Sequence, residues 1–213
     1  MKYIGLAFSL TLAFCSPLIA QEVTHHTSAD GHAFSFHHMP VSERLAISVA
    51  WKGGIANLPS GKENVANLAI DLMLNGGADG RSPDDIRAAF EAMDSGSHLY
   101  TDADAIRGFV VAPSKDLAKA AAIANSVLAK PTLDERWFKR FVRKAKSNTA
   151  ENAAFNNSQA WNTIRSLTMG GHPLEQSWSW QPLQNLDALS IADVRKWYAE
   201  SFSTNDLIIS AAG

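Results

Sequence analysis

The residues best placed to do chemistry in this 213-residue chain are Asn67 and Asp71. They interrupt the otherwise apolar run from Glu63 to Gly77. Four residues along a helix bring two side chains onto one face. A carboxylate beside an amide can hold a cation, accept a proton or close a hydrogen bond. The pair also has a plainer reading, as a hydrogen-bonded core pair or a solvent-facing stripe. Histidine is the other reactive type. His25, His26, His32, His37 and His38 crowd the N-terminal region. A metal needs ligands that converge, and adjacent His37 and His38 point to opposite faces of a strand, so the cluster is read as solvated. His98 lies on a candidate edge strand, as an ordinary surface side chain or one that meets an extended peptide. His172, before Pro173, is read as fixing a loop. No Ser-His-Asp set with a supporting motif, no phosphate loop and no dinucleotide fingerprint is found.

Composition narrows the classes. With 46% hydrophobic and 19% charged residues and a net charge of −2, the chain can build one sizeable core. It lacks the basic stripe with interleaved aromatics that nucleic acid would require. Four of its six tryptophans, Trp161, Trp178, Trp180 and Trp197, lie in the last quarter, as core or interface anchors. Residues 1–20 read as a signal peptide: a positive start at Lys2, an apolar stretch from Ile4 to Phe14, then Ser16-Pro17 and a small residue, Ala20. Leu12-Ala13-Phe14-Cys15 faintly resembles a lipoprotein signal, with Phe14 bulky before the cysteine. The apolar run is too short to span a membrane. Cys15 is the only cysteine, so a chain cut after Ala20 has no disulfide and no thiolate ligand. The expected location is a bacterial periplasm, with residues 21–213 forming one domain.

The elements follow from patterning. Residues 21–32 read as a polar lead-in with a turn at Asp30-Gly31. Strands are predicted from Ala33 to Met39 and, by the alternation of Leu45, Ile47, Val49 and Trp51, from Leu45 to Trp51. The central helix runs from Glu63, its apolar stripe Val65, Leu68, Ala69, Leu72 and Met73 widened by Ile70 and Leu74, to a left-handed cap at Asn75-Gly76. Ser82-Pro83-Asp84-Asp85 starts a second helix, to about Met93. Ser97–Ala103 and Ile106–Ala112 read as a hairpin. Helices then run from a Ser114 cap to Leu128, from Asp134 to Ser147, from Asn156 to Met169, and from a Ser190 cap to Ser201. Leu207–Ala211 is a last strand. The grouping predicts an α+β fold: a mixed, mostly antiparallel sheet with helices packed on one face.

These pieces, in this order, resemble the first half-domain of the pitrilysin/insulinase metallopeptidase family, which includes the mitochondrial processing peptidases. The resemblance covers most of residues 23–213. Asp30-Gly31 to Pro40 resembles the opening strand and its turn. Val49-Ala50-Trp51-Lys52-Gly53-Gly54 resembles the second strand and its glycine turn. Phe90 to Gly96, then Thr101-Asp102, resembles the approach to the substrate-binding edge strand. Gly171-His172-Pro173 and Leu189-Ser190-Ile191-Ala192-Asp193-Val194 resemble later signatures. The family's inverted zinc motif, H-x-x-E-H, sits on the central helix. Laid on it, Asn67 and Asp71 fall at the two histidines and Ile70 at the glutamate. The family's third ligand, a glutamate on a later helix, falls near Lys144, Ala145 and Lys146, with Glu151 beyond the predicted helix end.

An amide is a poor zinc ligand, and Ile70 can neither ligate nor take a proton. The resemblance therefore implies a catalytically inactive subunit or domain of a periplasmic zinc peptidase. Its partner would be an active H-x-x-E-H subunit or a second half-domain, the two enclosing a chamber for peptide substrate. No cofactor is expected in this chain, and zinc only in the partner. Family members carry two half-domains, and this chain ends after one. Two other readings stand beside it. One is a stand-alone peptide-binding scaffold using the edge strand Ser97, His98, Leu99, Tyr100 and Thr101. The other is an active peptidase with a displaced metal at Asp71, Glu63 and a histidine.

Overall fold

The computed structural model describes residues 23–59, 61–62, 64–172, 175, 186–203 and 207–213. They form a six-stranded sheet: β1 (Val23–Thr27), β2 (Ala33–His37), β3 (Arg44–Lys52), β4 (Gly96–Thr101), β5 (Ala105–Pro113) and β6 (Ile208–Ala212). The spatial order is β1-β2-β6-β3-β5-β4. Only β2 and β6 run parallel; every other pair is antiparallel. The C-terminal strand thus inserts between β2 and β3. The helices are α1 (Asn64–Asn75), α2 (Pro83–Ala92), α3 (Leu117–Ala129), α4 (Glu135–Ala153), α5 (Asn156–Met169) and α6 (Ile191–Ser201). This is the α+β architecture that the patterning predicts.

Register decides which side chains meet the helices. Leu99 pairs with Gly108 and Gly108 with Val49, while Ile106 pairs with Trp51. These residues share one face, because paired positions in an antiparallel ladder point the same way. Leu99, Ile106 and Trp51 on that face are buried. The opposite face carries His98, Tyr100 and Phe109, with Tyr100 and Phe109 each 39% exposed. The helices lie on one side: α3 against β5 and β4, and α1 against β4, α4 and α6. The central helix buries Val65, Ala66, Leu68, Ala69, Ile70, Leu72 and Met73. Leu72 and Met73 are wholly enclosed, each worth about 1.5–3 kcal/mol of transfer from water.

Local signals explain most boundaries. Ser82 and Ser190 cap α2 and α6 by the same reciprocal device. The Asp85 amide donates to Ser82 Oγ at 3.2 Å, and the Ser82 amide donates back to the Asp85 carboxylate at 3.2 Å. In α6 the corresponding distances are 3.3 and 2.9 Å for Ser190 and Asp193. The Gly53-Gly54 turn docks on the β4–β5 hairpin. The Ile55 and Ala56 amides donate to the Asp102 and Ala103 carbonyls at 3.0 Å. A Cβ on Gly54, whose φ is +122°, would sit 2.7 Å from that backbone, so only glycine fits.

Four sequence expectations shift. Residues 23–27 form strand β1, not a polar lead-in; the pattern is weak, and β2 supplies the partner that makes it a strand. The left-handed residue after α1 is Gly77 (φ +88°), one beyond Gly76. Asn75 instead turns its side-chain amide back to the Asp71 carbonyl at 3.1 Å. Ser114 does not cap α3: its hydroxyl donates to the Glu43 carbonyl at 3.1 Å, and α3 begins after Asp116 without a side-chain cap. Finally, α4 continues past Ser147 to Ala153. No Gly or Pro stops it there, and Ser147 Oγ donates to Glu151 one turn on, at 3.3 Å. Glu151 is therefore helical, two turns beyond Lys144.

Candidate functional site

The site is built by α1, α4 and the strand β4. The helix α1 enters from Lys62, whose ammonium pairs with Asp193 of α6 at 3.1 Å and donates to the Ala188 carbonyl at 3.3 Å. These contacts and the buried apolar face fix the rotation of α1. At that rotation Asn67 and Asp71 share the exposed face and Ile70, 5% exposed, points into the core. Of the two plain readings of the polar pair, the structure realises the solvent-facing stripe.

Asp71 is not fully solvated. Burial raises its pKa above the ordinary carboxylate value, and the Lys144 ammonium of α4 pulls it back down. Asp71 reaches the surface, so this is a carboxyl at a rim and not one sealed in a core. Along α4, Phe138 and Phe141 are buried and Ala145 packs against the core. That phase leaves Lys144 exposed and near enough to Asp71 for its charge to act on the carboxyl, while Lys146 pairs with Asp187. The α1–α4 junction therefore offers an amide, an apolar wall, one carboxylate and a cation. A divalent metal wants converging anionic or imidazole ligands, and this donor set does not fit zinc. Among the described residues no group of three or more His, Cys, Asp or Glu stands close enough to hold a metal ion. Glu63, the other acid considered for a displaced site, lies outside the described residues.

The strand β4 is the end of the sheet, paired with β5 alone among the described strands. Its five candidate residues divide by face. Ser97, Leu99 and Thr101 lie on the helix side, where Leu99 is 4% exposed. His98 and Tyr100 lie on the open side. His98 packs on Tyr100 and on Phe109, each with ring centroids 5.6 Å apart. The hairpin turn is pinned by Asp102, which accepts from Arg107 Nε at 2.6 Å and from the Ala105 amide at 2.9 Å. Burial alone would raise the Asp102 pKa, but Arg107 and the amides of Ala105 and Asp104 outweigh it and hold the carboxyl low.

The N-terminal histidines do not converge. His25 shares a hydrogen bond with Ser35 at 3.2 Å, whereas His26 bonds Thr24 at 2.8 Å and stacks on Phe34 at 5.4 Å, on the other face. Pro173 and Trp178 and Trp180 lie outside the described residues. Trp197 is core, 9% exposed, but Trp161 is not: on α5, Trp161, Ile164 and Leu167 are 54%, 48% and 82% exposed. They follow each other at every third position and form an apolar stripe facing outward. Periodicity marks such a stripe in sequence but cannot say whether a neighbouring element covers it.

No family model matches the chain, and no curated protein matches it. Solved structures do. One is described as a peptidase M16 inactive domain from Pseudomonas fluorescens, with a TM-score of 0.79 and 15% identity. Another is a protease from Helicobacter pylori, with a TM-score of 0.76 and 13% identity. Each alignment covers 90% of this chain and 46% of the other. The chain thus has the fold of one half of these proteins and spans about half their length.

Proposed function

We propose that this chain is a non-catalytic half-domain of a pitrilysin-type peptidase, acting by assembly with an active H-x-x-E-H subunit or second half-domain to form a chamber for peptide substrate. The observation that carries this reading is the α1–α4 junction. On a peptidase-like fold, Asn67 and Asp71 stand at the surface, Ile70 is turned into the core, and Lys144 is brought toward Asp71. A lysine facing the lone carboxylate supplies a positive charge of its own and disfavours a second cation. Two further features support the reading. The similar solved proteins are about twice as long, and α5 presents an uncovered apolar stripe of the kind that protein partners bury. The signal read at residues 1–20 supports a periplasmic location for the assembly.

The test is peptidase activity with zinc content, on the mature chain alone and mixed with a co-encoded H-x-x-E-H protein. Activity in the mixture alone, with zinc in the partner, is the expected result. Zinc and activity in this chain by itself would overturn the reading. The edge of β4 that no described strand pairs with, with His98, Tyr100 and Phe109 beside it on the open face, favours a second reading: a stand-alone binder that adds an extended peptide to β4. That reading requires peptide binding by the isolated chain, abolished by a proline at Ser97 or Leu99, with no peptidase present.

A further inference from the structure

A second feature of the molecule lies apart from the α1–α4 junction, although Ser97, His98 and Leu99 of β4 contribute to it. Between α3 and the helix-facing side of the sheet lies a half-open cavity of about 190 Å³. Its origin is in residue size. The helix α3 faces the sheet with Ala121 and Ala124, and the strand opposite carries Gly108. Ile47 and Val110 form the floor on either side. Layers packed at ordinary interior density need larger side chains than these to close the gap. Gly108 does not leave the space by itself, because a Cβ there would already stand 3.3 Å from Val49 and 3.4 Å from Leu99. The room is on the α3 side, above Ile47 and Val110.

The chemistry of the walls defines the occupant. The lining includes no charged lysine, arginine or carboxylate. The polar residues of the lining are Asn125, on the exposed side of α3, and Ser97 and His98 of β4; the rest of it is apolar. An apolar cavity of about 150 Å³ is known to stay dry and to take up benzene, and this one is somewhat larger. We infer that the cavity between α3 and the sheet is a binding site for a small neutral apolar molecule, of one aromatic ring or a short alkyl chain.

Toluene is the probe, with benzoate as its charged counterpart. Thermal unfolding of the mature chain should show a saturable rise with toluene, about 3–6 °C at tenfold over Kd, and none with benzoate, whose charge no lysine or arginine of the lining would meet. The variant Ala124→Leu fills the space and should lose the toluene response. Methyl NMR of the unaltered chain decides the matter even where that variant folds poorly: toluene should shift Ile47 and Val110 and leave the methyls of Ile191 and Val194 in place. No saturable response, equal responses to toluene and benzoate, or shifts spread over the whole core would each overturn the assignment.

Discussion

The sequence resemblance lays Ile70 at the catalytic glutamate of the zinc peptidases, and replacing it by glutamate tests whether α1 has the rotation described. Ile70 is 5% exposed and belongs to the main core. Ile70→Glu keeps roughly the same volume, so the cavity term is small and two other terms dominate. Loss of the apolar side chain costs about 1.5–3 kcal/mol at any pH. A carboxyl at a fully buried position has its pKa raised by about 3 units or more, and each unit costs about 1.4 kcal/mol when the group ionises. The sign is fixed by linkage. The folded-state pKa lies above the unfolded value of about 4.3, so the folded protein holds the proton longer, and stability falls as pH rises from that value through the folded pKa. The variant should therefore lose about 2–3 kcal/mol at pH 4 and about 6 kcal/mol or more at pH 8. The second figure rivals the whole stability of a domain, about 5–15 kcal/mol. Urea unfolding of both proteins, followed by tryptophan fluorescence at pH 4, 6 and 8, gives the difference at each pH. A loss below about 1 kcal/mol that does not change with pH would refute the placement, because it would mean that position 70 faces water.

Three more perturbations test other parts of the structure. Asp71 should titrate above an ordinary aspartate, and Lys144→Met should raise it further by removing the cation that opposes burial; carbon-detected NMR of the carboxyl reads both, and an unchanged titration in the variant would separate α4 from α1. Ser190→Ala should cost about 1 kcal/mol, the usual value of an N-cap, and should let the Asp193 pKa rise. Asp193 is held low first by its hydrogen bond to the Ser190 side chain and further by Lys62, so the stability it contributes is present above the unfolded pKa and is lost as pH falls through the folded one. Leu167→Glu, on the exposed stripe of α5, should leave the isolated chain within about 0.5 kcal/mol of its parent while abolishing co-purification with an active partner; unchanged co-purification would move the interface off α5.

On the proposed reading, the two polar residues on α1 show how an emptied site would differ from an ordinary surface pair. An aspartate on a solvated helix face needs no explanation, but here Lys144 is delivered from a separate helix to the same spot where the resemblance places a third ligand. A lone carboxylate flanked by an amide and an ammonium has its charge balanced without metal. The strand β4, which has a neighbour on one side alone among the described strands, lies beside this junction, with α1 in contact with it. On the proposed reading, the strand along which a peptide would lie stands next to the place where the resemblance puts the missing ligands.

What the sequence determined by itself was local. The apolar stripe of α1, the Ser82 and Ser190 caps with their acids three residues on, the alternation of Leu45 to Trp51 and the bounds of α5 at Asn156 and Met169 are all written in spacing and residue type, because helix periodicity, capping and pleat act over a few residues. The identities at positions 67, 70 and 71 likewise needed no coordinates. Tertiary structure decided what depends on a partner from elsewhere in the chain. It made a strand of Val23–Thr27 by laying β2 beside it, placed the last strand between β2 and β3, and left β4 at the edge. It diverted the Ser114 hydroxyl to Glu43, carried α4 on through Glu151, and turned Lys144 toward Asp71. It also left Trp161 uncovered and Ala121 and Ala124 over an open space, since burial is a property of what packs opposite a residue and not of the residue alone.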